Sequence, residues 1–559
     1  MPSSPLSRLA TAIAVACLFC FSVAISMRNG LSGFSFDSDP VYYGGYMVAN
    51  GWWPFIDWGS SYSVLPALIE GAFMQVLGTG WHVTVVHASL TNGLYAVLAW
   101  GLFRHFGLGW LSSLIYAGAA AVTYYAPVGF GTPDKPSFAF LMMALLLQAK
   151  AIEAATPSRV RMLYAGAALA AIACLVAKLN PSVLYVFPML AMFLGLDASR
   201  RLSALTGGLA VVGALALLLG AVEAAHSGFL YNLYYYGLKL PLMAGAERVG
   251  NEGGFAYTKL ASYTHLGAFN ILYGLMAAGA GAMWLRRGSL FEPSGYRAVT
   301  LPIVLGFFFW VITVFHLSHI AQSWPAHVTL VIPGVALLHA ALANTARTGT
   351  ESGTQAVRLF TLALVATIAM DAKEYQRTVG KPRVFFDFNL ELGETSERGA
   401  VGIDALRYLR WIRWTGVPNQ EEEIRDVVTA MRSVPGNVFV LGMPNHYYAF
   451  AEKAPLLPAT LIIAGHTTPP VGTPEEAALI AKFSENVVRA KVRHVVANRE
   501  LADGPAKAFL QSRWVCGVTN VGRFAVLAEL CGAPDPDYAH LTRILYGFVP
   551  RQDGYPSVD

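Results

Sequence analysis

Eleven apolar runs, strung along the first two thirds of the chain, constrain this fold more than any other feature of the sequence. A helix that crosses a bilayer needs about 20 predominantly apolar residues. Runs of roughly that kind lie at residues 9–27, 82–103, 109–127, 137–149, 162–177, 182–197, 203–222, 266–285, 298–316, 324–343 and 357–370, with the fourth and the last short. The pattern predicts an α-helical polytopic membrane domain of about 11 transmembrane helices over residues 1–370. The composition agrees, with 55% hydrophobic and 13% charged residues and a mean hydropathy of +0.48. A water-soluble domain carries nearly twice that share of charge.

Charge divides the chain in two. Residues 1–370 hold 12 of the 34 acids and 18 of the 39 bases, and residues 371–559 hold the rest. A soluble domain is therefore expected from residue 371 onward. The net charge of +5 has no basic block, which excludes a nucleic-acid partner. When the apolar runs are threaded alternately through a membrane, 12 of those 18 bases fall on the side of the N-terminus. By the positive-inside rule that side is cytoplasmic, and residues 371–559 are extracytoplasmic, as in a multi-pass protein of a cell (inner) membrane. The first run, long for a signal core, reads as a retained helix.

The acids invert the pattern of the bases: eight of the 12 fall on the outer side, among them Asp37, Asp39, Asp57, Glu70 and Asp134. Orientation rules largely ignore acids, so this bias points to chemistry on the outer face. The first outer loop, 28–81, is far longer than a connection needs. Its stretch 62–78 is apolar at helical spacing and suits an interfacial helix. A second long outer segment, 223–265, is rich in tyrosine and suits either an aromatic belt or the wall of a lipid-substrate groove.

The strongest candidates for chemistry lie in FDSDPVYYGGYMVANGWWPFIDW. Asp37 and Asp39 stand at the membrane surface, where partial desolvation raises a carboxylate toward a value useful for accepting a proton. Transfer of a sugar from a phosphate to a hydroxyl needs such a base, and positive charge or a metal for the departing phosphate. Asp134 and Lys135 lie in GTPDKPSF, and Lys178 and Asn180 in AKLNPS, on the same predicted face. Ionisable groups at membrane depth are functional candidates, although Lys178 also has the length to snorkel to the interface. His316 and His319, in FHLSHIAQSW, lack metal-ligand spacing and suit hydrogen bonding better than zinc. Asp37 and Asp39 could hold a hard divalent cation, Mg or Mn, through oxygen ligands, or the site could rely on Lys178 and outer-loop bases alone. No other cofactor is indicated.

The run SDPVYYGGYMVANGWWPFID resembles the GT-C class of polytopic glycosyltransferases, in the branch of protein O-mannosyltransferases and lipid A aminoarabinose transferases. The resemblance implies Asp39 as general base, Asp37 as its partner, Tyr43 within the substrate-facing run, and Asp57 as the later loop acid. In TPDKP, Asp134 matches an Arg-Pro-Asp-like element, but Thr132 replaces the arginine and removes its phosphate-binding role. Lys178 has a counterpart before the sixth helix. The class uses a polyprenyl-phosphate sugar donor and an extracytoplasmic glycan, glycolipid or protein acceptor. No Gly-rich phosphate loop of the nucleotide-binding kind is present, in keeping with such a donor.

From residue 373 on, helical runs alternate with the strand-like NVFVLGM, VRHVVAN, WVCGV and FAVLAELC, which predicts a small α/β domain. Cys516 and Cys531 flank the last pair, and an outer location permits a disulfide between them. His446, Tyr447 and Tyr448 follow the first strand, where α/β domains often bind ligands and where packing on the membrane domain is the other reading. The domain is expected to hold or select the acceptor. The rival to an enzyme is a transporter or flippase of lipid-linked saccharides, which would place polar groups at mid-membrane in repeated halves. The sequence has no such repeat.

Overall fold

The computed structural model describes residues 5–31, 39–61, 64–124, 129, 131–132, 135–244, 296–319, 330–346, 402–406, 408, 420–460, 462, 464–465, 467–531 and 543. Nine of the eleven apolar runs fall on described helices, while 266–285 and 357–370 lie outside the described residues.

The membrane part begins with α1 (Pro5–Gly30), α2 (Asp39–Ala49), α3 (Val64–Leu77), α4 (Trp81–His105), α5 (Trp110–Thr123), α6 (Lys135–Ile152) and α7 (Pro157–Ala177). It continues with α8 (Leu179–Ser182), α9 (Val186–Leu194), α10 (Ala198–Ala225), α11 (Phe229–Tyr234), α12 (Leu301–His319) and α13 (Val331–Ala346). Among the described residues, five helices (α1, α4, α6, α7 and α10) are long and apolar enough to cross a membrane. Helix α4 is the hub, packed on α1, α5 and α6. Asn92 on α4 donates to the Ser22 carbonyl of α1 at 2.7 Å, and Tyr95 stacks on Tyr124 with ring centroids 4.0 Å apart. Buried polar side chains need such partners, most of all where no water can replace them.

Local chemistry explains the helix ends that matter for the site. Thr156 caps α7 by accepting from the Arg159 amide at 3.4 Å, with Pro157 at the first helical position. The helix stops at Lys178, whose backbone is extended, and α8 begins at the next residue. Helix α12 runs antiparallel to α9, with Arg297 on Asp197 at 2.7 Å near one end and Phe308 stacked on Phe187 further along.

Residues 420–531 contain α14 (Gln420–Ser433), β1 (Val438–Leu441), α15 (His446–Phe450), α16 (Pro474–Arg489), β2 (His494–Asn498), two short helices, β3 (Val515–Val521) and β4 (Ala525–Leu530). The sheet order is β1-β2-β4-β3. The helical crossover through α15 and α16 makes β1 and β2 parallel, whereas β3 and β4 form an antiparallel hairpin. A disulfide joins Cys516 to Cys531 across that hairpin, closing the pairing that the sequence left open.

The two parts share one apolar core. Tyr42, Tyr43 and Trp81 from the first loop and α4 pack in the same cluster as Val438, Tyr447, Tyr448 and Phe450. The Gly59 amide donates to the Pro458 carbonyl at 3.1 Å, and the Lys482 ammonium reaches the Ile56 carbonyl.

Candidate active site at the head of α2

The first loop contains a helix that the apolar runs did not reveal. Asp39 and Pro40 open α2, a residue pair suited to a first turn because a carboxylate favours the helix N-terminus and proline needs no amide partner there. The Gly-Gly in YYGGY is there for close approach. A Cβ on Gly45 would lie 2.5 Å from Glu70 Cγ, and one on Gly44 would lie 2.7 Å from Ala67 Cβ, both on α3. Larger residues would push α2 off α3. The opposite side of α2 is held by the α/β part: the Tyr43 hydroxyl is within 3.4 Å of both the carbonyl and the amide of Leu457, and the Tyr46 hydroxyl donates to the Lys453 carbonyl at 2.9 Å.

Around the head of α2 the other candidate segments meet. Gly131, between α5 and α6, lies on its first turn: the Gly131 amide donates to Thr84 on α4 at 3.1 Å, and a Cβ on Gly131 would be 3.0 Å from Val41 Cγ1. Lys135, the first residue of α6, is 1% exposed with its ammonium 5.7 Å from the Tyr124 ring and 5.8 Å from the Phe138 ring. Two aromatic faces at that range stabilise a cation in a site with little water. The Tyr124 hydroxyl donates to the Lys135 carbonyl and fixes this turn. The last turn of α7 adjoins the same start of α6, since Cys174 Sγ is 3.1 Å from the Ser137 carbonyl. Lys178 therefore leaves α7 one turn beyond that contact, half-buried.

The remaining candidates are placed as follows. Asp37 and Asp134 lie outside the described residues, and of Asp39, Asn180, His316 and His319 only the backbone is described, so the cation reading of Asp37 and Asp39 falls outside the description as well. Asn180 is on α8, and α12, which ends at His319, packs against that segment. Tyr43 is fully buried, with its hydroxyl engaged by Leu457. Asp57 closes a turn by accepting from the Trp53 amide at 2.8 Å. That turn holds Phe55 at φ 64, a left-handed conformation that costs a non-glycine residue about 1–3 kcal/mol. Burial pulls the Lys482 ammonium below its ordinary value, and the Asp57 carboxylate acts against that shift. His446 stacks on Tyr42 with centroids 5.1 Å apart and Tyr448 lies 5.8 Å from Tyr43, so this segment is packed on α2.

Sequence reading missed one pair altogether. His87 on α4 and Glu70 on α3 are buried and 2.7 Å apart. The available signal was a histidine inside the apolar run of α4, opposite the acid that interrupts the interfacial helix.

No family model matches the sequence, and no curated protein matches it. Among solved structures, the chain is similar to ArnT from Cupriavidus metallidurans bound to undecaprenyl phosphate, at 12% identity and a TM-score of 0.48, over 94% of this chain and 98% of that one. The apo state of the same protein gives 13% identity and a TM-score of 0.49, over 92% and 98%. The archaeal oligosaccharyltransferase AglB from Archaeoglobus fulgidus, in complex with an inhibitory peptide and a dolichol-phosphate, gives 11% and 0.43, over 89% of this chain and 70% of that one. Likeness at this level assigns no activity to the present chain.

Proposed function

We propose that this protein is an integral membrane glycosyltransferase that moves a sugar from a polyprenyl-phosphate donor to an extracytoplasmic glycan, lipid or protein acceptor. The observation that carries the reading is the convergence of the head of α2, the loop before α6, the buried Lys135 and the end of α7 at one end of the bundle, beneath the soluble part. In this reading Asp39 takes the proton of the acceptor hydroxyl as the acceptor oxygen bonds to the sugar's anomeric carbon. The bond from that carbon to the phosphate oxygen breaks, and polyprenyl phosphate departs with its added negative charge. Lys178 stabilises that charge, and binding on a prearranged cation is worth most in a site that excludes water. Lys135 lies under aromatic rings and holds the floor of the site. The disulfide supports an oxidising, extracytoplasmic location for the soluble part.

The test is a transfer assay on the purified protein in liposomes, with sugars on undecaprenyl and dolichyl phosphate and release of the lipid phosphate as readout. Asp39→Asn is expected to lower turnover at least a thousandfold while donor binding and thermal stability hold. Release that persists in Asp39→Asn would remove Asp39 as the base. No release from any donor by the wild type, with candidate acceptors present, would favour the transporter.

A further inference from the structure

Glu70 and His87 have no part in the chemistry just described, yet they are an ionisable pair with side chains 0% and 2% exposed. His87 Nδ1 lies 2.7 Å from Glu70 Oε2, while Glu70 Oε1 and His87 Nε2 are buried with no hydrogen-bond partner. Taking two ionisable groups out of water costs about as much as their attraction returns, so such a pair is a poor source of net stability. What it supplies instead is direction, because a hydrogen bond fixes both side chains in a way that apolar contact does not.

That direction bears on α2. The Glu70 stem occupies the space that Gly45 leaves open, and the His87 ring stacks on Phe73, one turn along α3, with centroids 5.9 Å apart. Gly45 is six residues from Asp39, about 9 Å of helix. The hub helix α4 thus holds Glu70, and Glu70 forms the surface on which α2 rests below its head.

We infer that Glu70 and His87 are a positioning pair: their hydrogen bond sets the Glu70 stem against Gly45 and thereby places α2, with Asp39 at its head. The kinetic consequence rests on the transferase reading, whereas the structural one does not. The test compares full-length wild type with E70M/H87F, which keeps both shapes and removes both polar groups. The expected result is an unchanged Tm, amide exchange over residues 39–49 at least tenfold faster, and kcat at least tenfold lower with the donor KM within twofold. E70Q, which keeps a hydrogen-bonding group beside His87, is expected within threefold of wild type in exchange and kcat. Wild-type exchange over 39–49 in E70M/H87F would overturn the assignment. The exchange arm reads α2 whether or not sugar is transferred, so an inactive wild type would defeat the transferase reading and leave this one decided by exchange. Should E70M/H87F fail to fold, H87F and E70Q decide: faster exchange in H87F alone supports the pair, and equal behaviour of the two overturns it.

Discussion

Helices α4 and α10 are both long enough to cross a bilayer, and they use apolarity in opposite ways. The most apolar stretch of α4 has a mean hydropathy of 1.2 and is 61% buried, whereas that of α10 has 2.2 and is 6% buried. The more apolar helix is the more exposed one. Buried along α4 are Thr84, His87, Ser89 and Asn92, and exposed along α10 are Leu202, Leu209, Leu217 and Leu218. In a bilayer the solvent is itself apolar, so leucine gains nothing by turning inward, and small and polar residues mark the protein-facing side. Helix α10 keeps one such face. Ala204 and Gly207 are its buried residues, and a Cβ on Gly207 would collide with the Arg161 carbonyl oxygen of α7.

The largest test of this contrast is Gly207→Val, which forces α10 off α7 and is expected to cost about 1–3 kcal/mol, read as a lower Tm in detergent. A variant as stable as wild type would mean that α10 has another footing. On α4, Asn92→Leu raises hydropathy but breaks the bond to α1, so a loss of about 1 kcal/mol is expected where a simple apolarity rule predicts a gain. In residues 420–531 burial acts on an acid instead. Glu423 is raised above its ordinary 4.5, mainly by burial, with the Tyr447 hydroxyl 3.2 Å away. An acid whose folded value is raised binds its proton more tightly when folded, so stability is lost as pH rises from 4.5 through the raised value. Glu423→Gln should flatten that slope in a Tm-against-pH series, and an unchanged slope would assign it to other groups. The smallest effect is expected for Leu217→Ala, within about 0.5 kcal/mol, because that side chain touches only the surroundings.

The same physics sets how much of the molecule was legible in its sequence. Apolar runs such as 203–222 announce helices because span length is imposed by the bilayer. Helix α2 was not legible: 11 residues with two adjacent glycines carry a weak helical signal, and those glycines make sense only once Glu70 Cγ of α3 is seen 2.5 Å from where a Cβ on Gly45 would lie. The acids of SDPVYYGGY singled the run out as a candidate. That its tyrosines face the soluble part was not visible, since Tyr43 and Leu457 pair across 414 residues. Glu70 was read as one of the outer-face acids and not as half of a pair, because nothing in a linear pattern joins it to a histidine 17 residues on.

The long separation between Tyr43 and Leu457 also sets a schedule for biogenesis. A ribosome adds about 5–20 residues per second, so α2 waits roughly 20 to 80 s between its own synthesis and that of the segment that clasps it, given the 414 residues between. Throughout that interval its buried tyrosines, Tyr42, Tyr43 and Tyr46, have no soluble part to pack against. A nascent chain halted anywhere before residue 457 can insert its helices and still lack the contact between the Tyr43 hydroxyl and Leu457. Completion of the core that α2 shares with residues 438–450 is thus tied to synthesis of the last third of the chain.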